Sequence, residues 1–166
     1  RGHAVGQGFE LAGVCDFTIA SENVKLGEIQ IRHGFGIPML ITPFLVGLKK
    51  AKEILMLGET LTAQEALNLG LINKIVADED LMPTANTWAE KLSKLPQNTV
   101  RSNKAIIRRV YELAGFDDAI MYQDVPEIAA LIDKGDASAD RQHKIREKDG
   151  WTAFKEVRDQ DYVSSD

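Results

Sequence analysis

The residues most able to do chemistry lie between Arg1 and Asp16. There a short apolar stretch, Ala4-Val5, leads into Gly6-Gln7-Gly8 and then an apolar helical run, Phe9 to Val14, that contains one carboxylate, Glu10. Glycines at such a bend allow positive φ and let a ligand approach the main chain. The first turn of the helix offers unpaired N–H groups and a partial positive charge. A carboxylate flanked by Phe9 and Leu11 is desolvated, which pushes its pKa up. Amide donors for a developing oxyanion, beside an acid or base of raised pKa, are the parts needed to enolise a carbonyl compound.

Taken alone, the pattern also fits a plain connector turn and a glutamate that complements the helix dipole. It is not a dinucleotide fingerprint, because Leu11 stands where the third glycine belongs, and no Gly-Lys-Ser/Thr follows to make a phosphate loop.

The elements that must position these groups alternate at first. Phe17-Thr18-Ile19-Ala20 reads as a buried strand, Ser21-Glu22-Asn23 as a turn, and Val24 to Arg32 as a partly extended segment. Gly34, Gly36 and Pro38 break the chain into an irregular loop, the kind of segment that contacts substrate. Ile41 to Leu57 reads as a helix stopped by Gly58. Thr62 and Glu65 have the spacing of a capping box for a short helix that Gly70 ends, and Leu71 to Val76 returns as a strand. Pro83 precedes a helix with Ala85, Trp88, Leu92 and Leu95 on one face.

Beyond Pro96 the pattern is helical throughout. Val100 to Ala114 is expected to turn Ile106, Val110 and Leu113 inward. Pro126 to Lys134 stops at Gly135, and Ser138 to Lys148 and Trp151 to Arg158 flank Gly150. The chain is therefore expected to be an α/β core over residues 1–95 with a helical region over 96–166.

Composition sets further bounds. In 166 residues a net charge of −5 gives no general attraction to nucleic acid or anionic membrane. One cysteine, Cys15, excludes an internal disulfide and suits a reducing compartment. The apolar runs are short and contain prolines, so no membrane span is expected. Because Arg1 opens the chain within what reads as a strand, sequence is expected to precede it.

Four blocks in order make this chain resemble the crotonase (enoyl-CoA hydratase/isomerase) superfamily. The family's glycine triplet, one residue, Glu-Leu-Ala, then Cys-Asp and a strand ending in Ala is met by Gly6-Gln7-Gly8-Phe9-Glu10-Leu11-Ala12, Cys15-Asp16 and Phe17 to Ala20. Its Phe-Gly-x-Pro-Glu-Ile block appears as Leu26-Gly27-Glu28-Ile29-Gln30-Ile31, followed by Gly34. Its Thr-Ala-x-Glu-Ala…Gly-Leu-Val-Asn block appears as Thr62 to Ala66 and Gly70 to Asn73. Its C-terminal Gly-x-x-Ala-Phe-x-x-x-Arg appears as Gly150 to Phe154 and Arg158.

The resemblance implies a spiral of ββα turns, here lacking its N-terminal part, followed by an all-helical trimerisation region. It implies an acyl-CoA thioester substrate, no further cofactor and no metal, a homotrimer or dimer of trimers, and a cytoplasmic or mitochondrial matrix setting. It places Glu10 on one catalytic glutamate, the backbone N–H of Gln7 on one oxyanion donor, and the other donor ahead of Arg1. Gly6, Gly8 and Gly34 fall at substrate-binding positions.

The second catalytic glutamate falls on Gln30, which can hold a water but cannot exchange a proton with it. Glu28, two residues away, would point the same way in an extended segment and so could supply the missing carboxylate. A solvated surface position is the commoner fate of such a Glu. His33 stands where a titrating group could act or simply face solvent. The reaction implied is hydration of a 2-enoyl-CoA. Double-bond isomerisation, C–C cleavage and thioester hydrolysis are the alternatives left open by Gln30.

A rival class is a crotonase-fold protein that binds RNA through a basic helix, here Arg101, Lys104, Arg108 and Arg109. The net charge argues against it. Trp88, Trp151 and Phe154 read as core or contact aromatics, and Lys148 and Arg158 as surface charge within reach of a CoA phosphate.

Overall fold

The structure, a computed structural model, describes residues 1–37 and 39–162. Pro38, expected to help break the loop, and residues 163–166 of the helical region lie outside the described residues. Two parallel strand pairs frame the N-terminal half. β1 (His3–Val5) pairs with β3 (Lys25–Gly27), and β2 (Ile19–Ser21) pairs with β4 (Lys74–Val76). Parallel pairing needs a crossover, and α1 (Gln7–Val14) lies within the first one.

The strands expected at Phe17–Ala20 and Leu71–Val76 are thus present but shorter. Their inner ends are set by Asn73, whose side chain accepts from the Thr18 N–H at 2.7 Å while its own N–H donates to the Thr18 carbonyl at 2.8 Å. The ladder continues from that clasp.

Phe9, Ala20, Val24, Leu26, Ile54, Leu61, Ala66 and Ile72 form the core between these strands, α2 (Thr42–Leu57) and α3 (Ala63–Asn68). α3 starts with the expected capping box. The Glu65 N–H donates to the Thr62 hydroxyl and the Thr62 N–H to the Glu65 carboxylate, so both orphan donors are satisfied. α2 ends at Gly58 in the left-handed region.

The segment read as extended from Val24 to Arg32 is different. Only Lys25–Gly27 is strand, and Ile29–His33 winds into a 3₁₀ turn closed by Gly34 at φ 79°. Contacts on two sides hold that turn. Arg32 donates through Nε to the Gly58 carbonyl at 2.8 Å and through Nη1 to Asp159 at 3.1 Å. One side chain therefore ties the turn to the end of α2 and to α8 (Ala137–Asp159).

Beyond α4 (Leu81–Ser93) come α5 (Gln97–Leu113), α6 (Phe116–Ile120), α7 (Pro126–Asp133) and α8. Pro83 sits inside the first turn of α4 rather than before it, where its missing N–H costs no helical bond. α8 breaks at Gly150, φ 88°, as its glycine predicts.

The inward turn expected of α5 is overturned. Ile106 is 64% exposed, Val110 63% and Leu113 73%. The amphipathic pattern is present, but among the described residues no element covers the Ile106, Val110 and Leu113 side of the helix. Periodicity reports that a face needs covering and not what covers it.

Candidate active site

The site begins at Gly6. Its φ of 57° and ψ of −127° suit glycine, and its N–H donates to the Gly27 carbonyl at 2.8 Å, fixing the turn to β3. The Gly6 carbonyl then accepts from the Phe9 N–H at 2.9 Å and the Glu10 N–H at 3.1 Å. The N–H groups of Gln7 and Gly8 are left at the head of α1 with no acceptor among the described residues, as first-turn donors are when nothing caps them.

Phe9 anchors the helix in the core, and Glu10 beside it is only 2% exposed. One oxygen of its carboxylate, Oε1, accepts from the Met39 N–H at 2.9 Å. Burial raises the pKa of Glu10 above the ordinary carboxylate value, and the Met39 bond pulls partly against that shift.

The second half of the site corrects two expectations. Glu28 is 1% exposed, not a solvated surface carboxylate. It also meets Gln30 through the 3₁₀ turn rather than along an extended strand. Gln30 Nε2 donates to Glu28 Oε2 at 2.6 Å, and both side chains are buried. Burial pushes the Glu28 carboxyl up to about 8. The Gln30 bond opposes this shift, and the charge of Glu10 adds to it. The two glutamates are therefore close enough to feel each other, which sequence order alone did not reveal.

Glu28 and Gln30 line a cavity of about 340 Å³ whose other walls include Ile31, Phe35, Leu40, Leu55, Tyr122 and Ile132. The Tyr122 hydroxyl donates to the Ile37 carbonyl. The cavity is thus an apolar pocket with a polar end. Its side facing α7 comes from the helical region, whose participation the N-terminal motif gave no reason to expect.

The remaining candidates are placed as follows. Gly8 lies within α1 with open space where a Cβ would stand. A Cβ on Gly6 would stand 3.2 Å from Gln30 Oε1, so the bare glycine backs the Gln30 amide. Gly34 has a packing role: a Cβ there would fall 2.3 Å from the Ala139 Cβ of α8. His33 is half-buried among Phe35, His143 and Phe154. Burial first, then the nearby Arg158 and His143, lower its pKa to about 4, so it is neutral at physiological pH.

Arg158 lies against Phe154 and pairs with Asp159 at 2.5 Å. Phe154 is core and Trp151 is exposed, while Trp88 meets Phe17 edge-on. In the basic stretch of α5, Lys104 pairs with Asp16, and Arg108 and Arg109 both pair with Glu112. That pattern is the ion-paired surface of an amphipathic helix. Cys15 is an exposed free thiol. Among the described residues, no group of three or more His, Cys, Asp or Glu side chains is placed to hold a metal ion, and no helix is long and apolar enough to cross a membrane.

The head of α1 with its free amides, the buried Glu10 and the apolar pocket lined by Glu28 and Gln30 thus lie on neighbouring elements of an α/β fold. The chain belongs to the enoyl-CoA hydratase/isomerase family, whose model matches residues 1–165. It is 33% identical over 168 residues to the crotonyl-CoA hydratase of Syntrophomonas wolfei, an alignment spanning 99% of this chain and 60% of that protein. It is 38% identical over 118 residues to the probable mitochondrial enoyl-CoA hydratase of Dictyostelium discoideum, covering 68% of this chain and 42% of that one. Among solved structures it resembles an enoyl-CoA hydratase/isomerase from Xanthobacter autotrophicus Py2, with a TM-score of 0.88 and 30% identity over 99% of this chain and 61% of the other. The chain thus spans about three fifths or less of the length of these relatives. The fold is the α/β fold of the crotonase superfamily.

Proposed function

We propose that this chain carries the catalytic part of an enzyme that hydrates 2-enoyl-CoA thioesters. The observation that carries the reading is the head of α1: a buried Glu10 one turn from the unpaired N–H of Gln7. In this reading the Gln7 amide stabilises the charge that develops on the thioester oxygen. Glu10 takes or gives the proton, Gly6 and Gly8 keep the backbone close to the acyl group, and Gln30 orients water or substrate. The cavity beside Gln30 takes a short acyl chain. Gly34 supports the site indirectly, by letting α8 dock on the 3₁₀ turn.

The reaction asks for no resident cofactor beyond the CoA of the substrate. The ββα spiral and the division into residues 1–95 and 96–166 follow the same reading. The exposed apolar face of α5 fits a homotrimer or a dimer of trimers, and the single free cysteine fits the cytoplasm or the mitochondrial matrix. Gln30 is the one feature that favours isomerase, C–C cleavage or thioesterase chemistry at the same oxyanion site.

The test is turnover of crotonyl-CoA by the full-length protein and its Glu10→Ala variant. The variant is expected to lose about 10²–10⁴-fold in kcat, the usual contribution of a positioned acid or base. Unchanged turnover would remove Glu10 from the mechanism.

A further inference from the structure

Syn addition of water across a double bond needs two proton-transfer events, and Gln30 can perform neither. Among the described residues that line the cavity, Glu28 is the carboxylic acid. Glu28 is buried, lines the cavity and binds the Gln30 amide through Oε2, while its Oε1 and the Gln30 Oε1 have no partner among the described residues. An unpartnered buried carboxyl oxygen beside an apolar pocket is costly to keep in its charged form.

We infer that Glu28 is the second catalytic residue of this site, with Gln30 as the positioning residue that holds it. This inference rests on the enoyl thioester reading above.

The hydrogen bonding fits a protonated carboxyl. Oε2 acts as the carbonyl oxygen that accepts from Gln30 Nε2, which leaves the unpartnered Oε1 to carry the hydrogen. Burial and the neighbouring Glu10 charge hold that proton on Glu28 at neutral pH. The Gln30 amide sits where a Cβ on Gly6 would crowd it, 3.2 Å from Oε1, so the bare glycine leaves it room.

In the forward reaction the oxygen of a water bonds to C3 of the enoyl thioester and its proton passes to the Glu10 carboxylate. Glu28 gives its proton to C2 as the enolate collapses. One water is consumed, nothing is oxidised or reduced, and transfer of a proton from Glu10 back to Glu28 through solvent restores the starting state.

The experiment uses the full-length protein, crotonyl-CoA as substrate and butyryl-CoA as an unreactive ligand. Glu28→Gln, an isosteric change, is expected to lower kcat by about 100-fold or more while the Kd for butyryl-CoA stays within about threefold. The double variant Glu28→Gln/Gln30→Glu restores a carboxyl to the same hydrogen-bonded pair with the two positions exchanged. It is expected to regain about tenfold or more over the single variant. A merely structural Glu28 would instead move the butyryl-CoA Kd together with kcat in the single variant.

Wild-type turnover with Glu10→Ala inactive and Glu28→Gln fully active overturns this inference alone. So does a double variant no better than Glu28→Gln. A wild type that hydrates no enoyl thioester overturns both the functional reading and the inference built on it.

Discussion

Gly34 and Ala139 pack backbone to methyl: a Cβ on Gly34 would stand 2.3 Å from the Ala139 Cβ, and Gly34 itself has φ 79°. That contact docks α8 on the turn carrying Gln30. Gly34→Ala should therefore lower stability by about 2–4 kcal/mol, from left-handed strain and overpacking together. Urea denaturation midpoints measure it. Adding Ala139→Gly should return the overpacking share and leave the backbone strain. A Gly34→Ala midpoint equal to wild type would show that the contact relaxes freely.

Gln7 offers a way to delete one amide without deleting a side chain that matters. It is the first residue of α1, a position where proline is well accommodated. Gln7→Pro should keep the far-ultraviolet circular dichroism of the wild type and lose about 10²–10³-fold in kcat, the cost of one oxyanion donor. Gln7→Ala should remain close to wild type. Equal turnover in both variants would assign the oxyanion to other donors.

Stability should respond to pH in two opposed ways. Folded Glu28 keeps its proton to about pH 8, whereas the unfolded chain releases it near 4.5. Across that window the folded state holds the extra proton, so stability falls as pH rises. His33 behaves oppositely: unfolded it protonates near 6.5, folded only near 4, so stability is lost as pH falls through that range. Chemical denaturation of Glu28→Gln and wild type from pH 4.5 to 8 should show the variant's relative stability growing with pH. A constant difference would mean that Glu28 is ionised in the fold.

The uncovered face of α5 should assemble. Val110→Lys places a charge in the middle of that face, and light scattering should record a lower mass while circular dichroism is retained. An unchanged mass would place the subunit contact elsewhere.

Local chemistry was the legible part of the sequence. The capping box at Thr62, the glycine stops at Gly58 and Gly150 and the buried Glu10 each follow from residue type and spacing. Glu28 was misread as solvated because the residues that share its cavity, Leu55, Tyr122 and Ile132 among them, lie far away in sequence. The 3₁₀ turn at Ile29–His33 was hidden for a related reason. Arg32 reaches Gly58 and Asp159, 26 and 127 residues on, and no window of local propensity contains those partners. The face of α5 failed at a third level, since amphipathicity carries no address.

The strand pairs also bear on how the molecule is made. β2 cannot find β4 until the Thr18–Asn73 clasp spans 55 residues of chain, and closing so wide a loop is slow compared with winding a helix. On a ribosome, α1 and its glutamate would emerge and coil before Met39 and α2, which pack against them. The acid would meet water first, and acquire its altered proton affinity only as the segment carrying Met39 and α2 folds onto it.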